Sequence, residues 1–241
     1  MLVKTKAIVL HSFKYGESKM IVDMLTEEEG RMSFVTSIPK TSKAKVKKQL
    51  FQPLTLLEIE CDVRPRVQLQ KLKEVRISEP FASIPFDAHK LSIALFLAEF
   101  LYYSTRGEQQ NALLFAYVEN SILWLDGCQS AFANFHLVFM MRLTRFIGFY
   151  PNIDDYHEGS VFDMRAAAFS SAVPLHTDYL PADDAARIST LMRMNYESMH
   201  LFRMSHTDRN RIVDVLLMYY RLHVPNFPEL RSLEVVRDLW R

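Results

Sequence analysis

From Val3 to Ile77 apolar and polar residues alternate in short runs, and from Asp87 onward they recur at helical spacing. The stretch from Ser18 to Pro53 sets the plan of the first part. Met20, Val22, Met24 and Thr26 alternate with Ile21, Asp23 and Leu25, which predicts a half-buried strand. An acidic turn, Glu27-Glu28-Glu29-Gly30, leads into a second strand, Arg31 to Ile38. Ahead of both, residues 3–13 are rich in β-branched side chains and predict the first strand of the chain, with Tyr15-Gly16 as the turn. Residues Thr41 to Leu50 read as a short helix or a loop, stopped by Pro53. Leu54–Val63 and Val67–Ile77 predict two more strands. In the last of these, the apolar positions slip from odd to even between Leu69 and Leu72, which predicts a β-bulge. Five short strands, with the only helical candidate between the third and fourth, fit an OB-fold barrel, and an SH3-like barrel is the alternative of similar size.

Glu79-Pro80 marks a boundary, and Ser83 to Phe86 reads as linker. The rest predicts an all-α domain over 81–241, so the class is α+β, with the barrel at 1–80. Asp87 is placed to cap a helix over 88–105 that is apolar almost all round. A second helix spans 109–125 and ends at Asp126-Gly127. A third, over 131–147, carries Phe132, Phe135, Phe139, Leu143 and Phe146 at helical spacing, and Gly148 and Pro151 end it. Residues 152–181 are irregular, with a hairpin at Ser160 to Ser170. A fourth helix is expected from Ala182-Asp183 to Phe202, a fifth over 208–222, and a short last one after Ser232.

Charge divides the chain at the same boundary. Residues 1–80 hold eleven lysines, four arginines and ten acids, whereas residues 81–241 hold one lysine, Lys90, with thirteen arginines and eighteen acids. The whole-chain charge of +1 hides this split, which points to two domains with different partners. The lysines concentrate in Lys40, Lys43, Lys45, Lys47 and Lys48, and no acid occurs between Glu29 and Glu58. A cationic loop beside a small sheet suits a polyanion: each phosphate neutralised releases counterions, giving salt-sensitive, sequence-tolerant binding. Arg31 extends that cationic set. Phe13, Tyr15, Phe34 and Phe51 could stack with unpaired bases, although a barrel core also needs large apolar side chains.

Catalytic signals are nearly absent: the sequence has no phosphate-cradling glycine loop, no HExxH and no GxSxG. The cysteines, Cys61 and Cys128, are isolated, so they form no disulfide framework and no CxxC metal clip, and a reducing compartment is expected. His157 and His176, near Asp154 and Asp155, lack the helical spacing of a ligand pair. No signal-peptide core and no membrane-length apolar run is seen, which reads as cytoplasmic. In the helical part Arg142 and Arg145 fall beside the phenylalanine stripe and Arg106 at the end of the first helix, so an acidic, hydrophobic peptide could bind there.

The segment AIVLHSFKYGESKMIVDMLTEEEGRMSFV, then Ser42-Lys43, LFQPLTLLEIE and LQKLKEVRI resemble the N-terminal domain of the RecO family of bacterial recombination mediators. Val9-Leu10, Tyr15-Gly16-Glu17-Ser18, Leu25-Thr26, Gly30-Arg31 and Gln52-Pro53 carry the likeness. RFIGFYP at Arg145 to Pro151 and RSLEVVRDL near the end resemble the family's helix terminus and last helix, whereas residues 80–130 match only as helical texture. The resemblance implies an OB-fold followed by a helical domain, binding to single- and double-stranded DNA, strand annealing, contact with RecR, and docking on the acidic tail of single-stranded DNA-binding protein so that RecA is loaded. It implies a bacterial, nucleoid-associated protein that is not an enzyme. Many members carry four zinc-binding cysteines after the glycine-proline helix end; here that segment has none, so no cofactor is expected. An RNA-binding regulator and a protein-binding adaptor are the rival readings of the same barrel.

Overall fold

The computed structural model of the chain describes residues 1–37 and 48–239. Five strands, β1 (Leu2–Tyr15), β2 (Lys19–Thr26), β3 (Gly30–Ser37), β4 (Leu56–Asp62) and β5 (Leu69–Glu79), close into a barrel in the order β1-β2-β3-β5-β4. All neighbours are antiparallel except β3 and β5, whose parallel pairing closes the barrel. This is the OB-fold, with a short 3-10 helix at Lys48–Phe51 between β3 and β4.

The inward set follows from the alternation. Met20, Val22 and Met24 of β2 meet Val3, Ala7 and Val9 of β1, Phe34 of β3, Leu57 and Ile59 of β4 and Leu72 of β5, all buried, with Phe51 from the 3-10 helix. Among the described residues of the barrel the register shifts at three places, one of them between Leu56 and Leu57, where Ser78 is the extra residue on β5. Leu10 is the extra residue where the β1–β2 register shifts between Val9 and His11. On β5, Glu60 pairs with Glu74 but Cys61 with Leu72, which makes Lys73 the extra residue. The slip in the β5 pattern therefore lies between Leu72 and Val75, one step later than the apolar spacing predicts. Leu69 is only half-buried and pairs with Ser33, while Gln70 takes the inward position.

Beyond β5 the chain forms α1 (Ala88–Ser104), α2 (Ala112–Gly127), α3 (Phe135–Leu143), α4 (Ala182–Arg193), α5 (His206–His223) and α6 (Leu233–Arg237). Asp87 caps α1, accepting hydrogen bonds from the His89 and Lys90 amides. Ser205 and Asp208 form a reciprocal capping box on α5. Two helices are shorter than their patterns predict. α3 covers nine residues, because Phe132 lies ahead of it and Thr144 to Gly148 close as turns through hydrogen bonds such as Arg145 N to Arg142 O at 3.2 Å. α4 stops at Arg193, where Met194 leaves the helical region with ψ 146°, and only a 3-10 turn, Met199–Leu201, follows. Between α3 and α4 a small sheet holds β6 (Val161–Asp163), β7 (Ala168–Ser170) and β8 (Tyr179–Leu180), in the order β7-β6-β8.

By its contacts the chain divides into two compact units, one of Met1–Gly127 with Leu230–Val236, the other of Cys128–Glu229 with the chain end from Arg237. The first unit thus joins the barrel to α1 and α2. Asp126 at the end of α2 makes that join: its carboxylate accepts from the amides of Ala82, Ser83 and Ile84 at 2.8, 2.9 and 2.8 Å. Burial alone would raise the Asp126 pKa, but these hydrogen bonds outweigh it and hold the carboxyl below its ordinary value. The Lys90 ammonium, nearly fully buried, donates to Ser83 Oγ at 2.7 Å and to the Asp126 carbonyl at 3.1 Å. Lys90 therefore serves the linker.

Candidate nucleic-acid interface

Residues paired across a ladder point to the same side of the sheet, so the register defines the outer face of the barrel rung by rung. One rung runs Tyr15, Lys19, Ser37. The next runs Phe13, Ile21, Val35, Lys71, and a third His11, Asp23, Ser33, Leu69. The first two rungs are open to solvent: Tyr15 is 54% exposed and Phe13 42%, and Lys19, Ser37 and Lys71 are exposed. Lys73 on the β5 bulge is exposed as well, and so is Lys14, which pairs with the inward Met20 and so leaves from the other side of β1.

The third rung is covered at Asp23, while His11 at its edge stays exposed. Tyr102 of α1 lies over it, with its ring 5.0 Å from the His11 ring and 4.8 Å from the Arg31 guanidinium. Asp23 is buried there, hydrogen-bonded by Ser33, 3.5 Å from Arg31 Nη1 and 3.8 Å from His11 Nδ1. Burial alone would push the Asp23 carboxyl up; the hydrogen bonds from His11 and Ser33 and the charge of Arg31 outweigh it and hold the carboxyl below its usual value. Arg31, expected from the sequence to meet phosphate, has instead a buried guanidinium committed to Asp23, Tyr102 and the Met32 carbonyl. Gly30 beside it has φ +69°, and a Cβ there would stand 2.4 Å from the carbonyl carbon of Gln109, so the turn before Arg31 accepts glycine alone.

The β4–β5 loop borders the open rungs where β5 begins. The buried Gln70 amide holds it from inside, donating to the Arg64 and Val67 carbonyls at 3.0 and 2.6 Å and accepting from the Arg64 amide at 3.0 Å. Arg64 and Arg66 are exposed on that loop. The acids at this face are Glu17 in the β1–β2 turn and Asp62, which the N-terminal ammonium and Arg64 engage at 3.2 and 3.5 Å. Another side of the barrel has the opposite character. A groove of about 390 Å³ there is lined by Glu27, Glu28, Glu58, Glu60 and Glu74 against Lys4, Lys6 and Arg76. Its three cations are paired, Lys4 with Glu60, Lys6 with Glu119 and Arg76 with Glu58. A polyanion is repelled by that groove and attracted to the rungs of Phe13 and Tyr15.

Of the lysine cluster, Lys40, Lys43, Lys45 and Lys47 lie outside the described residues, and Lys48 opens the 3-10 helix. The chain enters the cluster after Ser37, which pairs with Lys19 on the open first rung. The four aromatic candidates separate: Phe34 and Phe51 are fully buried in the barrel core, while Phe13 and Tyr15 are exposed. The sequence pattern carries a signal for Lys19, because it alternates against the inward Met20, Val22 and Met24. Lys71 can be placed only once the β3–β5 pairing is known, since it reaches this face through a partner distant in sequence.

The three arginines expected to hold a peptide tail fall in both units. Arg106, in the first, is exposed and lies 5.6 and 5.2 Å from the rings of Tyr102 and Tyr103. In the second, Arg142 is half-buried and donates from Nε and Nη2 to the Met194 carbonyl at 3.3 and 3.0 Å, satisfying the end of α4. Arg145 is exposed in the turn after α3, stacked 4.1 Å over Tyr150 and donating to its hydroxyl at 2.8 Å. The helical spacing predicts one shared face for Arg142 and Arg145; the early end of α3 removes that relation. The metal candidates do not converge either. The His157 ring is taken by the Glu158 carbonyl and Ser171 Oγ, and His176 Nε2 lies 3.3 Å from Asp163. Among the described residues no group of three His, Cys, Asp or Glu side chains could hold a metal ion, and no helix is long and apolar enough to cross a membrane.

Residues 1–81 match the family model for the N-terminal part of recombination protein O, and residues 85–234 match the model for its C-terminal part. The chain belongs to the RecO family. DNA repair protein RecO of Bacteroides fragilis is 55% identical over 241 residues, the whole of both chains. The protein of the same name from Phocaeicola vulgatus is 52% identical over 240 residues, and that from Flavobacterium psychrophilum 34% over 242, again over the whole of both chains. RecO membership fits a barrel with an open cationic and aromatic face followed by helices.

Proposed function

We propose that this protein is a non-catalytic, DNA-binding recombination mediator acting in bacterial DNA repair, in the cytoplasm at the nucleoid. The relatives are named for DNA repair, which supports that role here. The observation that carries the reading is the open half of the OB-barrel face, where Phe13 and Tyr15 stand exposed with Lys19 and Lys71 on the same two rungs. An exposed ring gives an unpaired base a stacking surface, and the lysines neutralise the backbone beside it. Stacking contributes about 1–3 kcal/mol per base, and phosphate contacts add the sequence-independent part. Lys40, Lys43, Lys45, Lys47 and Lys48 are proposed to add further phosphate contacts in this reading.

Annealing then needs no reacting group. Base pairing supplies the free energy, and the protein neutralises two like-charged strands and holds them close. Binding to RecR, and to the acidic tail of single-stranded DNA-binding protein, completes the role: the protein engages a coated strand, and RecA is loaded. Arg145, exposed in the second unit, is the cation proposed for the tail's carboxylates, since forked guanidinium groups suit carboxylate recognition.

Titration of a fluorescent single strand at several salt concentrations tests the reading. Affinity should fall linearly on a log–log plot, and duplex DNA should bind with less dependence on Phe13 and Tyr15. A salt-independent affinity would favour a protein adaptor, and clear preference for RNA of equal length an RNA-binding regulator.

A further inference from the structure

The sheet β6–β7–β8 has strands of three, three and two residues, too short to hold together through backbone pairing alone. Its neighbours in sequence carry the kind of donors that would invite a metal: Asp154, Asp155, His157, Asp163, His176 and Asp178. Several of these donors are already occupied elsewhere. Asp163 Oδ1 accepts from the Arg165 and Ala166 amides at 2.9 and 3.0 Å and so makes the β6–β7 turn. Asp178 is paired with Arg165, and the His157 ring lies against Glu158 and Ser171. No thiol belongs to the segment, and Cys61 is sealed in the barrel core. The donor set therefore does not fit the four-thiolate zinc that the family resemblance implies for this region.

What does converge is aromatic. Phe162 of β6 and Phe169 of β7, both almost fully buried, face each other across the ladder with ring centres 4.9 Å apart. Tyr156 closes edge-on against Phe169 at 5.0 Å, and Tyr219 of α5 closes edge-on against Phe162 at 5.7 Å. Tyr219 donates to the Phe149 carbonyl and His223 Nε2 to the Met164 carbonyl at 2.7 Å, which ties α5 to the chain just ahead of the segment and to its β6–β7 turn. Edge-to-face rings at these distances are favourable beyond the area they bury.

We propose that residues 152–181 fold and dock on α5 without a metal, and that the Phe162–Phe169 pair with Tyr156 and Tyr219 supplies the cohesion that zinc supplies in thiolate-bearing relatives. The full-length protein tests this directly. Elemental analysis of the purified chain should find no stoichiometric zinc, and its melting temperature should be the same with a chelator, with added zinc, or with neither. About one zinc per chain, or a melting temperature lowered by chelator and restored by zinc, would overturn the proposal. Phe169→Ala should lower the melting temperature by roughly 6 °C or more, with no recovery on adding zinc. Phe169→Leu, which keeps most of the apolar volume, should fold and melt between the two. A Phe169→Ala protein that melts like wild type would remove the aromatic pair from its assigned role.

Discussion

Arg31 reaches diagonally across the β2–β3 ladder to Asp23, bringing its Nη1 to 3.5 Å from the carboxylate. Both side chains are about nine-tenths buried, so this is an interior ion pair. Burial pulls the guanidinium pKa down, and Asp23 offsets part of that pull. Removing one partner strands the other charge in a dry site, a cost on the order of 3 kcal/mol. Arg31→Ala should therefore lower the melting temperature by roughly 6 °C or more while leaving the salt slope of DNA binding unchanged. A lowered slope with an unchanged melting curve would return Arg31 to the interface.

Asp23, Asp126 and Asp184 all have carboxyl pKa values below the ordinary one; for Asp184 the hydrogen bond from Arg211 is the largest cause. A carboxylate depressed on folding contributes stability that is full above its unfolded pKa of about 4 and is lost as pH falls through the lower folded value. Asp126→Asn removes one such contribution and turns an amide donor toward backbone amides. Urea unfolding should find the variant weaker than wild type at pH 7 by about 1–3 kcal/mol, and the gap should narrow at about pH 3. A gap that stays constant with pH would mean that the Asp126 charge is not what holds Ala82 to Ile84.

Phe13→Ala and Tyr15→Ala should each weaken single-strand binding by roughly 5- to 150-fold, as expected when one base loses its stacking partner. The side chains are exposed, so melting temperatures should hardly move. Fluorescence anisotropy with single-stranded and duplex oligonucleotides gives the comparison; equal losses on both would argue against stacking.

Changing Lys43, Lys45, Lys47 and Lys48 to Ala should weaken binding evenly across sequences. The log–log salt slope should shrink by up to about 0.7 for each phosphate that the protein no longer neutralises. Lys19→Ala and Lys71→Ala should act in the same direction, each by the share of about one phosphate. Wild-type slopes in all of these variants would move the DNA site off this face.

Arg142 and Arg145 separate in a charge-reversal experiment. Arg142→Glu places a carboxylate against the Met194 carbonyl and should lower the melting temperature; Arg145→Glu should not, because Arg145 is exposed. If the exposed guanidinium meets the tail of single-stranded DNA-binding protein, Arg145→Glu should abolish binding of the tail peptide and leave binding of naked DNA intact. Tail binding at wild-type affinity would shift attention to Arg106.

The barrel is legible in the sequence because alternation in β1 to β4 is governed by burial on one face, a local signal that each strand carries alone. Met20, Val22, Met24 and Phe34 lie where period two puts them. β5 is harder to read, since the extra residue at Lys73 breaks the period and the parallel pairing with β3 joins residues far apart in sequence. The outer face is half legible. Phe13 and Phe34 are the same residue type on neighbouring parts of the barrel, and only the register sends one outward and the other in. Arg31 resembles its exposed cationic neighbours because nothing local to it announces Tyr102, about seventy residues later. The ends of α3 and α4 are hidden because the apolar spacing continues through Phe146 and Met199 after the helices have stopped.

The seating of Gly30 against Gln109 has a practical bearing on how the barrel is handled. The Arg31 amide donates to the Glu108 carbonyl at 3.1 Å, and Tyr102 roofs Asp23 from the same helix and loop. A fragment cut after Glu79 would lose that roof and bare an ion pair whose energetics assume dryness. It would also open a second, acid-bearing tract beside the rungs of Phe13 and Tyr15. Affinities measured on such a fragment would describe an altered surface, so a minimal version of this barrel has to run through α2.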